Sequence, residues 1–354
     1  MSSPTCFGFV QTEPASFLCL EGRLRPATHG DRDTPALYAP AFDESPNGAW
    51  LRAEDARLEE VPHATWLVRF PPPADSPPPV AWGEPDEERF RHAFARLRDL
   101  IARGVLQKGV PASRIVAAIE PGAAETLFGH LLRRVPEQPA ALMAYGLCRR
   151  DPTTGRLVEF MLGATPEVLF DLHDQHCLRT MAVAGTRWSS IGPDVLQSSA
   201  KDRDEHQFVV YDLINRLAAW GSASVSGTIV RSFGDLEHLV AEISLEARRP
   251  LVFEEVAREL HPTPALGVYP RNQAGLAWLS DLDPRGERHR YGAPFGISVP
   301  ARPSRCVVAI RNVQYRRGEL SIWAGCGVVA QSRYEEEWQE VLDKMQTARV
   351  MWGL

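Results

Sequence analysis

Four acidic side chains are spaced for joint chemistry. Asp202 and Glu205 lie three apart in SAKDRDEHQFVVYDLINRL, and Glu337 and Glu340 lie three apart in EEEWQEVLDKMQ. On a helix that spacing puts both carboxylates of a pair on one face. Lys344 shares the face of Glu337 and Glu340. Carboxylates of this kind suit Mg²⁺, which takes a few oxygen ligands and retains waters. Read singly, each pair is also what an ordinary wet helix face looks like. Two further candidates are Lys108 in ARGVLQKGVPASR and Glu167 in GATPEVLF. A buried lysine binds its proton less tightly and can act as a base near neutrality. A buried carboxyl keeps its proton and can donate it. On the surface, neither residue would do chemistry. The small-residue stretches MAVAGTRW, HPTPALGVYP and WAGCGVV would let backbone approach a ligand, and backbone N–H groups at such turns can hold a carboxylate. His238 in DLEHLVAEIS reads by itself as a structural histidine. The histidines form no HExxH pair, which speaks against catalytic zinc, and neither a GxSxG elbow nor a P-loop occurs.

The elements that must position these groups follow from hydrophobic period. EERFRHAFARLRDLIARG places Phe90, Phe94, Leu97, Leu100 and Ile101 at helical spacing, and Gly104 stops it. AETLFGHLLRRV is a second helix. The segment from Ser199 is a third, with Phe208, Val209, Leu213, Ile214 and Leu217 on its apolar face. The C-terminal run is a fourth, with Trp338, Val341, Leu342 and Met345 inward. Between them SRIVAAIE, PALMAYGLCR, LVEFMLG, EVLFDLH, LRTMAVAG, CVVAIRNVQY and ELSIWAG read as strands, the last two joined at RRG. Without a Gly-rich phosphate loop, the class is α+β and not Rossmann-like. The run FPPPADSPPP cannot be helix or central strand, so residues 70–87 read as an extended linker. The expected division is an N-terminal β-rich subdomain, 1–87 with its Pro-rich linker, and a catalytic region, 88–354. TWLVRF reads as one of the strands of the first unit.

Composition narrows the function. The 354 residues carry 39 basic and 45 acidic side chains, a net charge of −6, which argues against nucleic acid as a partner. No stretch approaches a membrane span, and the N-terminus lacks the pattern of a signal peptide. Six scattered cysteines read as free thiols in a reducing compartment, so a cytoplasmic protein is expected.

The order of these blocks is more specific than any one of them. GATPEVLF, MAVAGTRW, KDRDEHQFVVYDLI, LEHLVAEISLEARRP, LHPTPALGVYPR, RYGAPFG, VVAIRNVQY and WAGCGVVAQSRYEEEWQEVLDKM run from about 158 to 346. Together they resemble the chorismate-utilising enzymes: isochorismate synthase, salicylate synthase, anthranilate synthase component I and aminodeoxychorismate synthase. The resemblance implies an α+β fold of two large antiparallel β-sheets packed as a sandwich, with helices outside. It implies Mg²⁺ held by Glu205 and Glu340, with Asp202 and Glu337 beside them. It implies Arg311 on the pyruvyl carboxylate of chorismate, with Tyr291, Gly185, Thr186, Ala265 and the amides around Gly325 and Gly327 lining the substrate. Lys344 would balance the acidic cluster, and His238 would stand near the departing hydroxyl.

The nucleophile is implied the same way. Ammonia-using relatives resemble one another in carrying Gln where this chain has Lys108, and a lysine there goes with water. Aminodeoxychorismate-forming relatives have a nucleophilic Lys where this chain has Ala184. Salicylate synthases have Thr where it has Ala265. The implied function is therefore an isochorismate synthase, an isomerase, in which Lys108 activates water for attack at C2 and Glu167 protonates the hydroxyl leaving C4. Salicylate synthase, an aminating relative and a non-catalytic chorismate-binding protein are the alternatives. A monomer without a glutaminase subunit is expected. Three departures stand out: Val268 replaces a usual Gly, Gly292-Ala293 replaces Ala-Gly, and Cys326 replaces Ala. Val268 and Ala293 would add volume where backbone should approach the ligand.

Overall fold

In the computed structural model, residues 6–13, 15–27, 34–43, 49–53, 57–71, 73–191, 193–300 and 302–354 are described. Two antiparallel sheets make the frame. The eight-stranded sheet runs in the order Arg57–Pro62, Ser16–Gly22, Cys6–Glu13, Met143–Arg150, Leu157–Thr165, Asn312–Arg316, Glu319–Gly325, Ala112–Ala118. The ten-stranded sheet runs Gly221–Val225, Leu236–Ala247, Cys177–Trp188, Val168–Leu172, Ser304–Val308, Pro294–Ser298, Ala36–Tyr38, Trp50–Ala53, Leu24–Ala27, with Ile229–Phe233 also paired to Leu236–Ala247.

Side-chain alternation divides each sheet into two faces. In Cys6–Glu13, Phe7 and Phe9 turn outward while Cys6 and Val10 turn toward the other sheet. The inward set meets Leu37, Leu51, Phe295, Ile297 and Val307 of the second sheet in an apolar layer. The outer face of the eight-stranded sheet is covered by helices Glu87–Ala102, Pro121–Arg133 and Tyr334–Trp352, through Phe90, Leu97, Leu127, Val341 and Met345. The outer face of the ten-stranded sheet is covered by helices Ala200–Ala218 and Phe253–Leu260, through Val209, Leu213, Val256 and Leu260. The protein is thus an α+β sandwich with helices outside, as the blocks imply.

The first segment is strand-rich, as its sequence suggests, but it is not a body of its own. Cys6–Glu13 pairs with Met143–Arg150, and Ala36–Tyr38 pairs with Pro294–Ser298. The segment supplies outer strands to both sheets, because the edges of Met143–Arg150 and Pro294–Ser298 would otherwise expose unpaired backbone. TWLVRF is also corrected. It lies in a helix, His63–Arg69, that buries Trp66 against the Phe7–Phe9–Phe17 face. The proline-rich stretch behaves as expected, with no helix or strand among its described residues between Arg69 and Glu87. Pro73 and Asp75 lie against helix Pro121–Arg133, Pro73 beside Gly129, and His130 Nε2 bonds the Asp75 carbonyl at 2.7 Å.

Candidate active site

Two chain segments change sheets side by side. Pro166 and Glu167 carry the chain from Leu157–Thr165 in one sheet to Val168–Leu172 in the other. Ala309–Arg311 carry it back, from Ser304–Val308 to Asn312–Arg316. The steps are tied together: Val308 N donates to Glu167 O at 3.0 Å, and Ala164 N to Arg311 O at 3.4 Å. CVVAIRNVQY, which reads as one strand, is therefore two. The pattern passes there from the uniformly apolar CVVAI to the alternating NVQYR, and either pattern suits a strand, so the sequence does not mark the break. The break turns Arg311 into the space between the sheets at φ +55°, a left-handed conformation uncommon outside glycine.

A cleft opens at this crossing. It is lined by Glu167, Gly185, Thr186, Glu205, His238, Ala265, Tyr291, Arg311, Gly325, Gly327 and Lys344, all expected from sequence. Lys108 lies just behind, with no exposed surface, held by a two-residue pairing of Lys108–Gly109 with Val268–Tyr269. Its Nζ is 3.2 Å from Glu205 Oε1. Gly327 makes that contact possible, since a Cβ there would overlap the Glu205 carboxylate.

Burial sets the protonation of these groups. It lowers the proton affinity of Lys108, against the opposing pull of Glu205 and Glu167. It pushes the Glu167 carboxyl up to about 7, while Lys108 and the hydroxyl of Thr263, 3.5 Å away, pull it down. Burial, then the charges of Arg311 and Lys344, hold His238 down at about 3. His238 is therefore neutral. Its Nδ1 donates to Gly185 O at 2.9 Å, and its Nε2 accepts from Arg311 Nη2 at 3.3 Å. Arg311 is brought down by burial to about 10 and stays cationic at neutral pH. Its Nη1 is buried with no hydrogen-bond partner. A lone guanidinium N–H in a cleft wall is a site for a carboxylate.

Each of the four expected metal carboxylates faces a basic side chain. Asp202 pairs with Arg187 at 3.0 Å, Glu205 with Lys108, Glu337 with Lys201 at 2.6 Å, and Glu340 with Lys344 at 2.7 Å. Among the described residues, no three His, Cys, Asp or Glu side chains form a ready-made metal site. The donor chemistry still fits Mg²⁺. Glu205, Glu337 and Glu340 all raise the proton affinity of the Lys201 ammonium, which Glu337 contacts, so three buried carboxylates of the hard-oxygen type lie around one cationic group. Burial and then the Glu340 charge raise Glu337, while Lys344 and Lys201 outweigh burial and hold Glu340 down. That like-charge conflict is one a divalent ion relieves. Asp202 stands apart from the three, on Arg187.

Sequence reasoning missed four participants. Lys201 and Arg187 sit inside quoted blocks as counter-charges, Thr263 meets Glu167, and Trp323 adds an aromatic wall. Lys201, one residue before Asp202, was the one with a signal: a base beside a carboxylate pair. The departures also turn out differently from expectation. Val268 packs in the apolar core with Leu106 and Trp278, and Ala293 and Cys326 are buried away from the cleft lining. Gly292 is explained by its backbone, at φ +81°, a left-handed conformation that side-chain-bearing residues rarely adopt.

The chain matches the chorismate binding enzyme family over residues 11–349 and belongs to that family. It is similar to the salicylate biosynthesis isochorismate synthase of Pseudomonas aeruginosa, 29% identical over 315 residues, covering 84% of this chain and 63% of that protein. Isochorismate synthase EntC of Escherichia coli is 27% identical over 281 residues, covering 76% and 68%. Anthranilate synthase component 1 of P. aeruginosa is 26% identical over 271 residues, covering 73% and 51%. The chain thus spans less than two thirds of the length of two of these three relatives. In three dimensions it resembles MenF, the menaquinone-specific isochorismate synthase of E. coli, with a TM-score of 0.77 at 20% identity over 99% of this chain and 90% of that one. Anthranilate synthase component I of Streptococcus pneumoniae gives 0.65 at 16% identity, also over 99% and 90%. These likenesses establish the fold. No helix among the described residues is long and apolar enough to cross a membrane.

Proposed function

We propose that the protein is a Mg²⁺-dependent isochorismate synthase that isomerises chorismate by water attack at C2. The observation that carries this reading is a pair of buried groups with opposite proton bias. Burial weakens the hold of Lys108 on its proton, and burial keeps Glu167 protonated up to about 7. The two can serve as base and acid at one pH. Lys108 takes a proton from water as the oxygen bonds to C2, the ring double bonds shift, and Glu167 gives a proton to the hydroxyl leaving C4. One water enters and one leaves, so mass is conserved. The Lys108–Glu205 contact has to open for the base to act. Arg311 Nη1 takes a substrate carboxylate, and neutral His238 holds the guanidinium from behind. Glu205 and Glu340, with Glu337 beside them, would hold Mg²⁺, which supplies positive charge for the ring carboxylate. Water needs no ammonia channel, so the protein would work without a glutaminase subunit.

The test is product analysis by mass-resolved chromatography. Protein is incubated with chorismate and Mg²⁺, with EDTA, and with added ammonium. A Mg²⁺-dependent product of chorismate's own mass supports the reading. Salicylate with pyruvate would instead identify a salicylate synthase, and an ammonium-dependent product would overturn the role of Lys108. Bound but unchanged chorismate would identify a non-catalytic relative.

A further inference from the structure

Arg311 stands in a backbone conformation that costs free energy and persists only where neighbours dictate it. All three carbonyls of its turn are held. Asn312 Nδ2 donates to Ala309 O at 2.8 Å, Tyr145 OH donates to Ile310 O at 2.8 Å, and Trp352 Nε1 donates to Arg311 O at 3.3 Å. The first two donors are themselves joined, Asn312 Nδ2 to Tyr145 OH at 2.9 Å. Tyr145 comes from the neighbouring Met143–Arg150 strand and Trp352 from the end of the C-terminal helix. All three side chains are almost fully buried. Tyr145 reaches the turn across Gly163, whose missing side chain leaves room for the phenol ring.

We propose that Tyr145, Asn312 and Trp352 are positioning residues that act through Arg311. They lock the crossing so that the unpaired Nη1 faces the substrate carboxylate, and so set affinity without joining the chemistry. This rests on Arg311 as the carboxylate grip. The turn is largely buried, so its carbonyls must find donors within the protein, and here side chains from three different elements supply one to each of three successive carbonyls, which fixes the backbone of the crossing.

The experiment is a double-mutant cycle. Chorismate binding is read by tryptophan fluorescence, and turnover by steady-state kinetics, for wild type, Tyr145→Phe, Arg311→Lys and the double variant. Tyr145→Phe keeps the ring and removes the hydroxyl. It is expected to weaken Kd and raise KM about three- to tenfold, the worth of one buried hydrogen bond, with kcat within about twofold. In the Arg311→Lys background it should change Kd less than about twofold, because the group it aims is gone. Equal weakening in both backgrounds, or a fall in kcat with KM unchanged, overturns the proposal. If Tyr145→Phe does not fold, Trp352→Phe repeats the cycle with the same expected outcomes. Arg311→Lys with unchanged affinity would overturn the carboxylate grip itself, and the proposal with it. Weak Arg311→Lys binding with additive effects would overturn only the positioning role.

Discussion

The two ends of the space between the sheets are filled by opposite materials. Under the N-terminal strands the filling is Leu20, Leu37, Leu51, Phe295, Ile297 and Val307, an apolar layer. At the crossing of the chain segments it is Lys108, Glu167, Glu205, His238 and Arg311, all buried and all polar. The first end supplies stability, since each fully buried aliphatic or aromatic side chain is worth about 1.5–3 kcal/mol. The second end is expensive, because charges taken out of water repay their desolvation only through well-placed partners. Its pairs between acidic and basic side chains are the repayment. The same sandwich therefore holds one region where shape matters and one where charge balance matters.

That contrast can be broken by substitution at either end. The largest effect is expected from Lys108→Gln and Glu167→Gln. Each should cost roughly 10²–10⁴ in kcat, the usual worth of a general base or acid. Thermal unfolding should show Tm little changed for Glu167→Gln, which replaces a carboxyl already held protonated up to about 7, and lowered for Lys108→Gln, which leaves Glu205 buried without its partner. Turnover near wild type in either variant would show that the paired shifts are structural. At the other end, Leu20→Ala should do the reverse. Urea denaturation should show a loss of about 2–5 kcal/mol, with kcat/KM of the folded protein unchanged. A matching fall in kcat/KM would mean that the apolar layer reaches into the site.

The contrast is sharpened by pH. Glu167 must be protonated to donate, and it loses its proton as pH rises through about 7. The acidic form is the active one, so kcat/KM should fall on the alkaline side of that value. Thr263 stabilises the ionised form of Glu167 through its hydroxyl, and Thr263→Val should move the falling limb upward by a fraction of a unit. A limb that stays in place in Thr263→Val would assign it to another group.

Much of this was legible in the chain. The helices carrying Glu205 and Glu340 follow from their apolar spacing and have the expected extent, Ala200–Ala218 and Tyr334–Trp352. The small-residue blocks contain Gly185, Gly325 and Gly327, which the family resemblance implies as substrate-lining and which do line the cleft. Other features left no local trace. TWLVRF is as apolar as a strand and folds as a helix, because Trp66 has a deep place under Phe9 and Phe17. Val268 looked like a cleft residue by its place in a block and faces the core, since its short strand pairs with Lys108–Gly109.

Local chemistry along the chain dictates which residue types are available, on which helices and strands, and in what order. Those properties come from neighbours a few positions away. Long-range packing is what makes CVVAIRNVQY and the chain around Glu167 change sheets at one place. It also chose the partners: Lys108 on Glu205, Lys201 on Glu337, Tyr145 on the Arg311 turn. A buried charge must find its counter-charge wherever the fold brings one, and the two are separated by 97 residues in one pair and 136 in another. No local pattern records distances of that kind.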